Sequence, residues 1–226
     1  MILQMTRPVQ TGLREERKFE LISNHIANAD TTGFKKGVLS FDEMMRANLT
    51  VDLTQGDIVV TNNKLDIALT DEGFFRVQTP YGTRYTRDGN FHLDLESRLV
   101  TANGDLVLGE DGPITIEGNN VNINHSGEVY TDGEVIGRLS IVTFERLNNI
   151  YKEGSGYFIY KGDPQDEIPP KNAAVRQGAL ERSNVTTVIE MTKMIESHRM
   201  FETAQKMMQT FDEVDGRTIN DVGKLV

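Results

Sequence analysis

His25, His92, His125 and His198 are the side chains best suited to proton transfer near neutral pH, so their spacing is tested first. They are scattered. No HExxH pair is present, and no serine and aspartate stand where spacing alone would complete a nucleophilic triad. His25 and His198 fall inside helical patterns, where a surface or interface role is expected. Aspartate and glutamate total 34, and a glycosidase-type pair needs two carboxylates at a defined separation in a cleft, which abundance does not supply. Asn122, Asn124, Ser126 and Gly127 follow the first half of a calcium loop, with Val129 at its apolar position. Gly133 stands where the bidentate glutamate belongs and no helix pattern flanks the run, so a hairpin with polar turn residues explains the same letters. Gly154-Ser155-Gly156 lacks the third glycine and the strand-to-helix setting of a phosphate loop. There is no cysteine, hence no thiol nucleophile, disulfide or thiolate zinc knuckle. The expectation is a protein that is not an enzyme, with no catalytic, cofactor-binding or metal-binding residues and no cofactor.

Lysine and arginine total 24, giving a net charge of −10 over 226 residues. That balance disfavours nucleic acid and anionic lipid, which reward clustered positive charge. The N-terminal stretch MILQMTRPVQTGLREERK has no apolar run of the kind a cleaved secretory signal carries, and no window is apolar enough to span a bilayer. Recognition through surfaces is what remains.

Those surfaces need elements to hold them. Thr6 is placed to cap a first helix with Pro8 in its first turn. Phe19, Ile22, Ile26 and Ala29 follow at spacings of 3, 4 and 3, one helical stripe, and Thr31-Thr32-Gly33 supplies a stop. At the other end Ser183 or Asn184 is placed to cap a helix to about Val214. Met194, Phe201, Ala204, Met208 and Phe211 recur there at 7, 3, 4 and 3, with Val188, Met191 and Ile195 as an adjoining stripe, a near-heptad repeat that predicts a coiled-coil seam. Between them the period drops to two in short runs such as 65–69, 74–77, 91–95, 114–116, 121–123 and 139–142, separated by turn glycines such as Asp132-Gly133. The expected fold is α+β: N- and C-terminal helices in a coiled-coil-like layer, with an inserted all-β domain of short antiparallel strands. The expected divisions are 1–33 helix and motif, 34–70 extended connection, 71–145 β domain, 146–182 return segment, and 183–226 helix and tail. Helices of this kind are marginal alone, so their stripes need each other or another copy.

Several stretches carry a resemblance beyond these patterns. NHIANADTTGFKK at 24–36, LDIALTDEGFFRV at 65–77, YTRDGNFHLD at 85–94, LVTANGD at 99–105 and GALERSNVTTVIEMTKMIESHRMFETAQKMMQTFDEV at 178–214 resemble the bacterial flagellar rod and hook proteins, in family order. Compact length and the tail DEVDGRTINDVGKLV resemble the FlgF type of basal-body rod protein most, with the FlgG type next; a hook protein would be longer. The charged cluster Arg14 to Lys18 departs from the weakly charged start common in the family.

The resemblance implies a structural subunit of the flagellar rod, self-assembling with homologous axial proteins into a tubular shaft that transmits torque for motility. It further implies a periplasm-spanning location, export by the flagellar type III apparatus without a cleaved signal peptide, and no membrane insertion. The partners implied are other rod and hook proteins, met through the helical termini, and transiently the export apparatus. The expected assembly interface comprises Phe19, Ile22, Asn24, Ile26, Asn28, Thr31, Thr32, Gly33, Phe34, Ser183, Asn184, Val188, Met191, Ile195, Phe201, Met208 and Phe211. Asn24 and Asn28 share a helical face and suit an interface, while a helix-stop motif serving only its own chain explains them equally. The alternative class is a secreted adhesive or carbohydrate-binding β protein whose helices merely oligomerise it.

Overall fold

The computed structural model of the chain describes residues 2–42, 46–118, 120–170 and 174–222, with side chains described between 6 and 217 in those ranges. Residues 223–226 of the tail lie outside them. Contacts divide the chain into two compact units, one made of Met1–Ala27, Leu39–Leu49 and Thr186–Val226, the other of Asn28–Val38 and Thr50–Val185.

The first unit is built on two helices, α1 (Ile2–Ala27) and α2 (Thr187–Val222). They pack antiparallel. His25 near the end of α1 meets Glu190 in the first turn of α2, Ser197 Oγ donates to the Glu15 carbonyl at 3.0 Å, and Gly12 faces the Phe201 ring. Ile22 and Ala204 are buried in this unit. Thr6 is not the cap of α1: the helix starts at Ile2 and takes Pro8 inside it. The fixed φ of proline is helical, but inside the helix the ring removes the bond to the Gln4 carbonyl and crowds it, at about 3 kcal/mol that the rest of the helix offsets. Nor do Ser183 and Asn184 cap α2. Ser183 Oγ accepts from the Val185 N–H in a turn, and the Asn184 side chain is engaged elsewhere. At its far end α2 runs past the expected end near Val214 and through Gly216, at the roughly 1 kcal/mol that glycine costs a helix interior.

Strands β1 (Gly37–Phe41) and β2 (Ala47–Val51) pair with each other. In the second unit β3 (Ile58–Val60) and β4 (Ile67–Leu69) lead to a hairpin of β5 (Phe74–Thr79) and β6 (Gly82–Thr86). There follow β7 (Phe91–Leu93), β8 (Leu99–Thr101) and β9 (Leu106–Val107), then a meander of β10 (Val121–Ile123), β11 (Glu128–Thr131) and β12 (Glu134–Arg138). After β13 (Ile141–Phe144) come the hairpin β14 (Ile150–Gly154) and β15 (Tyr157–Tyr160), short β16 (Glu167–Ile168), and finally β17 (Val175–Gln177) and β18 (Ala179–Glu181). The largest sheet runs β14-β15-β6-β5-β9-β8-β7, with β13 joining β5 to β16. The last two strands return to pair antiparallel with β4 and β3, which ties 175–181 to 58–69.

Alternation on β5 shows what the sheet does. Phe74 enters one apolar cluster with Tyr85, Val142, Phe144, Ile150 and Phe158, while Phe75 and Val77 enter another with Phe91, Leu99, Val107 and Val129. Both faces are therefore covered, and each fully buried aliphatic or aromatic side chain contributes about 1.5–3 kcal/mol. Asp132 and Gly133 have φ of 52° and 95°, the paired positive values that a two-residue hairpin turn between β11 and β12 demands. Asn124 Oδ1 accepts from the Ser126 and Glu128 N–H groups, so the run that resembled a calcium loop is the polar turn between β10 and β11. Ile114 and Ile116 are buried, and their segment is held by an isolated bridge, Thr115 to Arg98, and by backbone hydrogen bonds to Ser97, Leu99 and Val107.

Candidate functional site

The motif at 24–36 leaves α1 and enters the second unit at Asn28, whose side chain accepts from the Thr31 hydroxyl at 3.3 Å. Thr32 Oγ1 donates to Asp88 at 2.7 Å, and burial raises the Asp88 carboxyl pKa while that hydroxyl opposes the rise. Gly33 follows at φ +65°, and its N–H donates to the Glu181 carbonyl at 2.8 Å. A Cβ on Gly33 would stand 2.3 Å from the Asp88 nitrogen and 2.5 Å from the Arg87 carbonyl carbon. The chain passes so close there that only glycine fits, on two counts.

Two residues on, Lys35 is fully buried. Its ammonium donates to Glu181 Oε1 at 2.5 Å and to the Thr54 carbonyl at 2.7 Å. Glu181 Oε1 also accepts from the Gly56 N–H at 2.9 Å, and its other oxygen lies 3.6 Å from the buried Arg87 guanidinium. Arg87 donates to the Asp71 carbonyl and lies against the Phe74 ring. Burial lowers the pKa of both cations, and the Glu181 carboxylate works against that in each case. Two cations and one anion out of water are costly unless hydrogen-bonded in a defined geometry, so such a cluster holds its chain segments in one arrangement. Asn184 completes it from the far side: its Oδ1 accepts from the Lys36 N–H at 2.8 Å, its backbone N–H donates to the Phe34 carbonyl, and its amide donates to the Asp52 and Thr54 carbonyls. The Phe34 ring is half-buried, with the Lys152 ammonium 3.8 Å from its centroid; burial lowers the Lys152 pKa to about 8.

Stretches 24–36, 65–77, 85–94 and 178–184 thus meet. Thr32, Gly33, Phe34, Ser183 and Asn184 are brought together with Asn28 and Thr31 in this junction, and Gly33 and Ser183 are buried within their own chain. Missing from the expected set were Lys35, Arg87, Glu181 and Lys152. Three of them lie inside the quoted stretches, but a charged residue is exposed by default and no periodicity marks the buried exception.

The remaining expected residues lie on the helices of the first unit. His25 Nδ1 and Glu190 Oε2 are 2.9 Å apart, both buried, with Lys193 at 2.6 Å from the other carboxylate oxygen. Burial would raise the Glu190 pKa, but hydrogen bonds and charge from Lys193 and His25 outweigh it and hold the carboxyl below its ordinary value. Ile22 is buried, Ile26, Phe201, Met208 and Phe211 are half-buried, and Phe19 and Asn24 are exposed. Val188, Met191 and Ile195 are exposed by 73%, 50% and 54%, a stripe on α2 that packing with α1 leaves uncovered. Among the described residues no group of three or more His, Asp or Glu is placed to hold a metal ion, and no helix is long and apolar enough to cross a membrane.

Two family models match the chain. The flagellar basal body rod FlgEFG protein C-terminal model covers residues 176–221, and the flagellar hook protein FlgE/F/G D1 domain covers 68–131. The chain is 34% identical to the flagellar basal-body rod protein FlgF of Caulobacter vibrioides, over 92% of its own length and 93% of the relative's. It is 32% identical to FlgF of Salmonella typhimurium, over 86% and 88% of the two chains. With the flagellar basal-body rod protein FlgG of Bacillus subtilis it shares 30% identity over 96% and 99%.

Proposed function

The chain belongs to the flagellar basal-body rod proteins, a family with a structural role, and from that premise we propose that it is a FlgF-type subunit that joins identical or homologous axial proteins into a tubular shaft transmitting torque. Of the relatives named above, the two of FlgF type share the higher sequence identity. Stacking would use heterologous contacts, one surface meeting a different surface of the next subunit, and a rotation that does not close builds a helical tube.

The observation that carries this reading is the exposed stripe of Val188, Met191 and Ile195 on α2. A contiguous apolar face left in water is the mark of a protein partner. Covering these side chains in a coiled-coil-like layer of helical ends contributes about 1.5–3 kcal/mol each. We assign intermolecular contact to this stripe with Phe19, Asn24, Ile26, Phe201, Met208 and Phe211. Ile22 supports it from within the helix pair. Asn28, Thr31, Thr32, Gly33, Phe34, Ser183 and Asn184 set the chain path within the second unit. The five sequence divisions from 1–33 to 183–226 belong to the same reading as a proposal. Arrival by type III export, without a cleaved signal, completes the proposal.

The test is the Ile195→Asp chain expressed in place of the wild type. The expected result is a folded chain, with unchanged far-ultraviolet circular dichroism, that is absent from isolated basal bodies of immotile cells. Motile cells carrying Ile195→Asp would refute the reading.

A further inference from the structure

Every buried or half-buried lysine and arginine described in the second unit meets a carboxylate, with one exception. Lys35 and Arg87 share Glu181, Lys36 meets Asp52, Arg76 meets Glu167, Arg84 meets Glu153, and Arg98 meets Asp94. Lys152 has no ion pair and no side-chain hydrogen bond among the described residues. Its ammonium instead lies over the Phe34 ring, where burial is the one cause acting on its pKa. Lys152 sits on β14, the terminal strand of the large sheet, so the edge beside it is open among the described residues. A lysine that merely guards a sheet edge against other strands keeps its charge hydrated. Lys152 does not, and an uncompensated, partly desolvated cation lowers the stability of the chain that carries it.

We infer that Lys152 and the Phe34 ring form a receptor for one aspartate or glutamate side chain of the adjacent subunit, which enters beside the ring and completes the ion pair. The inference rests on the assembly reading above. Three features support the choice of partner. The ammonium lacks an anion while its site already excludes much of the water, so a carboxylate arriving from outside meets a cation that has lost part of its hydration. Phe34 is fixed by the junction through its carbonyl bond to Asn184, so the receptor is preorganised. Finally, the chain carries 34 acidic residues against 24 basic ones, so a neighbour of similar composition presents carboxylates in excess. A charge pair of this kind selects register between subunits more than it adds raw affinity.

The experiment uses basal bodies isolated from cells that express the full chain, treated with a carbodiimide that joins an amine to a carboxylate only where the two touch. Peptide mass spectrometry should find Lys152 joined to an Asp or Glu of another subunit. In parallel, Lys152→Met should lower the occupancy of the chain in basal bodies at least about tenfold, the scale expected when a close interfacial charge pair loses a partner. Basal bodies that contain the chain but leave Lys152 unjoined, or join it only within its own chain, overturn this inference and leave the assembly reading standing. Basal bodies that lack the wild-type chain remove both.

Discussion

Lys35 Nζ and Glu181 Oε1 lie 2.5 Å apart with both side chains fully buried, although 146 residues separate them in the sequence. The pair joins the segment leaving α1 to β18, the strand whose chain goes on to α2. Beside it Gly33 donates its N–H to the backbone of the same glutamate residue, so one position of β18 holds the motif by side chain and main chain together. Buried ion pairs contribute little net stability against an apolar replacement, and their best-attested use is to fix which segments meet. Here they fix 33–35 against β18 and the chain at Thr54 and Gly56.

Removing one partner therefore costs more than the pair is worth. Glu181→Gln keeps the shape but leaves Lys35 and Arg87 without a buried counter-charge. The expected loss is about 3–5 kcal/mol of unfolding free energy. Lys35→Met alone leaves Glu181 with Arg87, and Lys35→Met combined with Glu181→Leu leaves one lone cation, Arg87, instead of two, so both should cost less than Glu181→Gln. Urea denaturation of the three variants checks both statements, and a double variant weaker than Glu181→Gln would contradict the ion-pair account.

At Gly33 the penalty is steric. Gly33→Ala forces a Cβ against the Asp88 and Arg87 backbone at φ +65°, and backbone cannot yield cheaply. Gly104 has φ +86° but open space around it. Gly104→Ala should cost about 1 kcal/mol from the left-handed conformation alone, and Gly33→Ala several-fold more. Thermal melts of the two variants separate the contributions. Equal losses would mean that close approach adds nothing.

These two positions also show how far the sequence was legible. Gly33 was visible, because Thr-Thr-Gly after a helical stripe is a stop signal whatever the tertiary structure. The period-two runs located strands such as β5 and β10 for the same reason: a sheet covered on one or both faces imprints its alternation on the chain. Lys35 and Glu181 left no such trace. Their partners lie far away in sequence, and nothing local distinguishes a lysine that will be buried from one that will be solvated. The same physics explains the misplaced helix ends. Ser183 and Asn184 have the chemistry of caps, but Ser183 is used in a local turn at Val185 and Asn184 in bonds to the distant backbone of Lys36, Asp52 and Thr54. The pairing of α1 with α2 could be expected from the stripes, but not the His25–Glu190 contact that closes one end of it.

That contact makes the helix pair sensitive to acid. The folded Glu190 carboxyl titrates below its ordinary value of 4.5, so the folded state holds its proton less readily than the unfolded state does. The stability this supplies is fully present above pH 4.5 and is lost as pH falls through the lower folded value. Glu190→Gln should weaken the helix pair near neutral pH and flatten its loss in acid. Helical circular dichroism between neutral pH and pH 3 reads both effects, and an unchanged acid limb would assign the stabilisation to other carboxylates.

Lys152 has the opposite sign. Its folded pKa is lowered from 10.5 to about 8, so below about 8 the folded chain bears the full cost of a charged, poorly solvated ammonium. Between about 8 and 10.5 the unfolded chain binds more protons than the folded one, and wild-type stability should gain relative to Lys152→Met as pH rises across that window. Above it the difference is constant. At pH 7 Lys152→Met removes the charge and keeps an unbranched side chain on the Phe34 ring, so the isolated variant should be more stable than the wild type even as it assembles less well. Stability sacrificed at a site that function needs is a common trade-off. Chemical denaturation of the isolated chain at pH 7 and pH 10 provides the check. A variant less stable than wild type at pH 7 would mean that the ammonium over Phe34 is satisfied within its own chain.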